Sequence, residues 1–152
     1  MVIKQSSHQF CLIADDEGPT RELIRTLLSC WSLDFIDAAD GSEAVQLYHE
    51  YHPCIVVMDI EMRPVDGLSA AREIRREDPG SRIVMISKHT GAQMRQASIK
   101  AGARAFVTKE HLVTLRDLVG KLLLERTETP SKPPSAPGTE ASRLANEPED
   151  PA

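Results

Sequence analysis

The sequence predicts an α/β fold, a (βα)5 chain with a doubly wound, five-stranded parallel sheet. Three observations carry this. Five short apolar runs recur along the chain, and several are continuous rather than alternating, as strands covered on both faces are. Stretches with helical apolar spacing lie between the runs. Turn and cap residues fall at the junctions.

The first strand is predicted over Phe10 to Ala14. Leu23, Leu27 and Trp31, with Ile24 and Leu28, then recur at i, i+4, i+8 and predict the first helix. Phe35 to Ala38 is the second strand. Asp40-Gly41-Ser42 is a turn leading into a helix start, followed by Ala44, Val45, Leu47 and Tyr48. Ile55 to Met58 is the third strand. Leu68, Ala71 and Ile74 mark a third helix, which Asp78-Pro79-Gly80 ends. Ile83 to Ile86 is the fourth strand, and Met94, Ala97 and Ala101 mark a fourth helix. Gly102 follows it, where a left-handed cap is expected. Ala105 to Val107 is the fifth strand. Leu112, Leu115, Leu118, Val119 and Leu122 mark the fifth helix. Strict alternation implies right-handed crossovers with helices on both faces of the sheet.

After Arg126 the character changes. Residues 127–152 contain Pro130, Pro133, Pro134, Pro137, Pro148 and Pro151 among Ser, Thr and Glu, with no hydrophobic period. Such a segment cannot offset its ordering entropy by burial, so a disordered tail is expected there after a single domain over residues 1–126. No output domain is expected beyond Arg126.

The 152 residues carry a formal net charge of −5, which argues against a nucleic-acid-binding module with a basic face. Cys11, Cys30 and Cys54 have neither disulfide-framework nor zinc spacing; Cys11 and Cys54 sit in apolar runs and read as buried small hydrophobes. No apolar run approaches the length that spans a bilayer, and MVIKQSSHQ lacks the apolar core of a signal peptide. The expected location is cytoplasmic, without membrane insertion.

An open parallel sheet binds ligands outside the carboxyl ends of its strands. The polar residues there are Asp15, Asp16 and Glu17 after the first strand, Asp59 after the third, Ser87 after the fourth and Lys109 after the fifth. If the first, third, fourth and fifth strands are neighbours, these groups converge on one shallow pocket. Clustered carboxylates repel one another unless a cation neutralises them. Hard oxygen ligands with room for water suit Mg2+. A carboxylate beside Mg2+ can attack a phosphoryl group to give an aspartyl phosphate. Lys109 would supply positive charge to the phosphoryl oxygens and Ser87 a hydroxyl donor.

The pattern resembles the receiver domain of two-component response regulators, over roughly residues 9–126. LIADDE resembles the family's acidic pair, Ile55 to Gly67 its phospho-acceptor segment, IVMIS its hydroxyl-bearing strand, and AGARAFVTK the segment leading to its lysine. The resemblance implies a flavodoxin-like strand order, 2-1-3-4-5. It implies Asp59 as phospho-acceptor, taking the phosphoryl group from a sensor histidine kinase or a histidine phosphotransfer protein. It implies Mg2+ held by Asp16, by Asp15 directly or through water, by Asp59 and by the backbone carbonyl of Glu61. Lys109 would pair with the phosphoryl group and Asp59, and Ser87 would swing inward to hydrogen-bond it. Phe106 stands at the place of the family's switch aromatic, though an ordinary core aromatic is the competing reading. The switch would reshape the face built from the fourth helix, fifth strand and fifth helix, and so change affinity for a downstream protein target. Monomer and weak homodimer both fit. No enzyme activity beyond the protein's own phosphorylation and dephosphorylation is implied.

Four features depart from the commonest family form. Arg63 replaces a proline after Met62, with Pro64 one residue later. Lys88 replaces a small residue after Ser87, where it would narrow access or add charge. Glu110 replaces a proline after Lys109, so no cis bond is expected there. Glu61 and His89 occupy positions that, in the family, influence loss of the phosphoryl group. Glu61 would repel water or add metal affinity, and His89 reads as a solvated loop residue. His49, His52 and His111 read as surface residues, and Trp31 as a core or boundary residue.

Two other readings compete. A receiver-like scaffold would bind a partner without phosphorylation. A phosphatase or phosphotransferase with an aspartyl nucleophile would use a second acid two residues on, where Glu61 lies, but the chain holds no cap-sized insertion. A flavin carrier is disfavoured, because no Ser/Thr/Gly-rich phosphate loop follows the first strand.

Overall fold

The computed structural model describes residues 9–128. The elements are β1 (Phe10–Ala14), α1 (Gly18–Leu27), β2 (Asp34–Ala38), α2 (Gly41–Tyr51), β3 (Ile55–Asp59), α3 (Gly67–Glu77), β4 (Ile83–Ser87), α4 (Ala92–Lys100) and β5 (Ala105–Thr108). A short 3-10 helix, Lys109–Thr114, then leads into α5 (Leu115–Glu128). The strands form one parallel sheet in the order β2-β1-β3-β4-β5, the flavodoxin-like (βα)5 arrangement expected.

Alternating strand residues feed two cores. Leu12, Val56, Met58, Ile83, Met85 and Phe106 pack on one face, against Ala44, Val45 and Tyr48 of α2 and Ala70, Ala71 and Ile74 of α3. Cys11, Ile13, Val57, Val84, Ile86 and Val107 pack on the other, against Ile24, Leu28, Leu115 and Val119 from the α1 and α5 side. Both faces are covered, which is why β3 and β4 are buried throughout and read as unbroken apolar runs.

Two helices differ from the sequence reading. α1 ends at Leu27, with Leu28 as its C-cap, so Trp31 lies beyond it. Its inner face is Ile24 and Leu28, while Leu23 is 48% exposed. Trp31 is a boundary residue whose Nε1 donates to the Arg116 carbonyl at 3.0 Å. Leu112 is buried but belongs to the 3-10 helix, not to α5. α5 itself continues to Glu128, two residues past Arg126; residues 129–152 of the expected tail lie outside the described residues.

Helix termini follow their cap residues. Asp40 accepts from the Glu43 amide to start α2, and Asp66 from the Ser69 amide to start α3. Gly102 takes a φ of +107°, as its place after α4 required. Among the described residues the cis peptide bond is Arg63–Pro64, which the sequence reading did not specify. Cys11 and Cys54 are buried and all three cysteines are free. No helix of the described residues is long and apolar enough to cross a membrane.

Candidate functional site

The strand registers bring the polar tips together. Ala14 lies opposite Met58 across the β1–β3 pair, so Asp15 and Asp59, each one residue on, are neighbours. Asp59 lies opposite Ile86, which puts Ser87 one step further out, opposite Thr108; Lys109 follows. The chain leaves β1 towards β2 and returns to β3 on its other side. The tips of β1 and β3 therefore flank the point where the strand order reverses, the usual ligand position in such sheets.

Asp15, Asp16 and Asp59 each offer a carboxylate oxygen within 4.8 Å of the others. Asp15 and Asp59 are 0% and 2% exposed, whereas Asp16 is exposed. Lys109 Nζ lies 3.0 Å from Asp15 Oδ2 and 3.4 Å from Asp59 Oδ2, so one ammonium serves both buried acids. Asp15 Oδ1 accepts from the Glu17 amide at 2.8 Å, shaping the β1–α1 loop. Beyond its ion pair with Lys109, Asp15 Oδ2 is buried with no hydrogen bond. Arg21 Nη1 donates to the Asp15 carbonyl at 2.6 Å and fixes that loop from behind.

Burial dominates the electrostatics. It raises the Asp59 pKa to about 6, with the Asp15 charge adding to the rise and Lys109 and the Glu61 amide opposing it. Burial also raises Asp15, against the Glu17 amide and Lys109. Burial pulls the Lys109 ammonium down, but hydrogen bonding and charge from the two aspartates outweigh it and raise its pKa.

The residues present fit a hard divalent cation. The donors are all oxygen, two of the three acids are buried, and burial raises the pKa of both. A single ammonium leaves the cluster with surplus negative charge, which a cation would offset.

The expected site residues are thus gathered at one edge of the sheet, Ser87 among them and buried. Its hydroxyl donates to Glu61 Oε1 at 3.0 Å and accepts from the His89 amide, also at 3.0 Å. His89 is not merely solvated: its Nε2 lies 3.2 Å from the same Glu61 oxygen, although its side chain is 68% exposed. Lys88 reaches Glu17 Oε1 at 2.9 Å and links the β4–α4 loop to the β1–α1 loop. Phe106 is buried on the β5 side, with the Arg95 guanidinium 5.2 Å from its ring centroid. The Glu17–Lys88 and Glu61–His89 pairs and the Arg21 contact were not foreseen. The two ion pairs join loops far apart in sequence, and nothing in the local pattern signals them.

This fold and this edge of acids, hydroxyl and lysine define an open parallel-sheet domain with an acidic pocket at the point where its strand order reverses. The chain matches the response regulator receiver domain over residues 11–121 and belongs to that family. It is 37% identical over 98 residues to the chemotaxis protein CheY of Halobacterium salinarum, covering 64% of this chain and 82% of that protein. It is 34% identical over 98 residues to the probable transcriptional regulator ycf27 of Porphyridium aerugineum, covering 64% of this chain but only 40% of that longer protein. Among solved structures, it is similar to a LuxR-family two-component response regulator from Aurantimonas, with 32% identity and a TM-score of 0.72 over 78% of this chain and 87% of that one. It is also similar to a chain of a CheX–CheY complex with BeF3 and Mg2+ from Borrelia burgdorferi, with 29% identity and a TM-score of 0.67 over 78% and 89%.

Proposed function

We propose that this receiver domain accepts a phosphoryl group on Asp59 from a sensor histidine kinase or a histidine phosphotransfer protein. The observation that carries the reading is the gathering of Asp15, Asp16 and Asp59 around one point, with Lys109 on the two buried acids. An Asp59 oxygen bonds to phosphorus as the phosphorus–nitrogen bond of the phosphohistidine breaks, leaving an acyl phosphate and an imidazole. Asp15, Asp16, Asp59 and the Glu61 carbonyl would hold Mg2+, which when bound neutralises phosphoryl charge. Lys109 keeps its proton and moves from Asp59 to a phosphoryl oxygen. Ser87 donates its hydroxyl to another.

The reading makes the chain a signalling module, with no chemistry beyond gaining and losing its own phosphoryl group, working in the cytoplasm. Ser87 and Phe106 would act as the switch, and the α4–β5–α5 face would present the result to a downstream protein target. Phosphorylation changes affinity by shifting a two-state equilibrium. Direct nucleic-acid binding has no support in a chain of net charge −5. The CheY complex with BeF3 and Mg2+ supports the ligand assignment by similarity.

The test is incubation with acetyl phosphate and Mg2+, followed by intact mass measurement. A phosphoryl adduct is expected, absent when Mg2+ is chelated and absent in Asp59→Asn. No adduct in the wild type would favour the scaffold that binds its partner unphosphorylated.

A further inference from the structure

Ser87 is the hydroxyl assigned to the phosphoryl group, yet its proton is already committed. A serine hydroxyl has one O–H to give. Here it goes to Glu61 Oε1 at 3.0 Å, while the oxygen accepts the His89 amide at 3.0 Å. Ser87 is 0% exposed, and the bond to the carboxylate is charge-assisted. The same Glu61 oxygen meets His89 Nε2 at 3.2 Å, which steadies the carboxylate from its outer side. The β4–α4 loop is further held by Lys88 on Glu17 at 2.9 Å. Three consecutive residues, Ser87, Lys88 and His89, are thus tied to acids from the two flanking loops.

We infer that Glu61 is a positioning residue that holds the Ser87 hydroxyl in reserve, so that a tetrahedral oxyanion on Asp59 must displace the Glu61 carboxylate to obtain it. The inference rests on the reading of Asp59 as the acceptor. Glu61 stands in for the phosphoryl oxygen in the resting protein. Phosphorylation exchanges one anionic acceptor for another, and the carboxylate is released to His89 and water. The side chain therefore sets how readily Ser87 turns inward, a role distinct from that of the Glu61 backbone.

Beryllium fluoride at saturating Mg2+ tests this by calorimetry, because its tetrahedral anion needs the same hydroxyl. Glu61→Ala is expected to tighten the anion about tenfold, the scale of one charge-assisted hydrogen bond. Glu61→Gln, which keeps an acceptor but no charge, should fall between wild type and alanine. Both gains should vanish in a Ser87→Ala background. Equal or weaker affinity in Glu61→Ala overturns the inference while leaving the acceptor site intact. A gain that persists without the Ser87 hydroxyl also overturns it, since repulsion of the anion by Glu61 then accounts for the effect. Failure of wild type and every variant to bind the anion brings down the acceptor assignment and this inference together.

Discussion

Asp59 concentrates the physical tension of the site in one side chain. It is 2% exposed, faces the Asp15 carboxylate and has one lysine to share. Burial sets its pKa at about 6, against 3.8 for an ordinary aspartate. In that interval the folded protein holds a proton that the unfolded chain has released. Stability therefore falls as pH rises from about 4 through about 6, and the loss is complete above that. Asp59→Asn removes the effect. In metal-free buffer the variant should be more stable than wild type at neutral pH by roughly 1–3 kcal/mol. The gap should close towards pH 4. Urea unfolding at both pH values checks this, and a gap that does not change with pH would count against a buried, raised Asp59.

At the scale of elements, the junction of β3 with α3 determines where Asp59 points. Gly67 starts α3, and its amide donates to the Ile60 carbonyl at 2.9 Å. A Cβ at this position would lie 2.0 Å from the Asp59 carbonyl oxygen, which is backbone and cannot rotate away. Gly67→Ala should therefore cost about 1–3 kcal/mol or more and weaken Mg2+ binding as β3 shifts. Thermal unfolding and a Mg2+ titration of the variant measure both effects. The sequence made the strands legible because two-sided burial leaves continuous apolar runs such as Ile55 to Met58. It made the site legible because parallel strands bring their carboxyl ends to one edge. The first helix was less legible. Two adjacent i, i+4 ladders run through Leu23, Ile24, Leu27 and Leu28, and periodicity cannot say that Ile24 and Leu28 face the sheet while Leu23 meets solvent. Leu112 fits a helical period as well as it fits the 3-10 turn it occupies. The Glu61–Ser87 bond spans 26 positions and depends on two loop conformations, so no local pattern announces it.

Across the whole molecule, one sheet edge collects charge that the two cores do not stabilise. Folding forces Asp15, Asp16 and Asp59 together, and the fold tolerates this with a single shared lysine. A cation bound there should stabilise the native state by mass action, about 2.7 kcal/mol at a concentration one hundred times Kd. Mg2+ should accordingly raise the Tm by several degrees, and Asp59→Asn should lose most of the rise. Monovalent salt at matched ionic strength is the control, and an equal shift with it would deny a specific site. On the β5 side, Phe106 lies buried beneath Arg95 and connects the site edge to the α4–β5–α5 face.

The central claim is that Asp59, rather than either acid beside it, carries the phosphoryl group. Reducing the phosphorylated protein with borohydride converts an aspartyl phosphate to homoserine, and peptide mass mapping then locates the change. Homoserine at position 59 is the predicted result. Conversion at Asp15 or Asp16, or none at all in protein shown to carry the adduct, would contradict it.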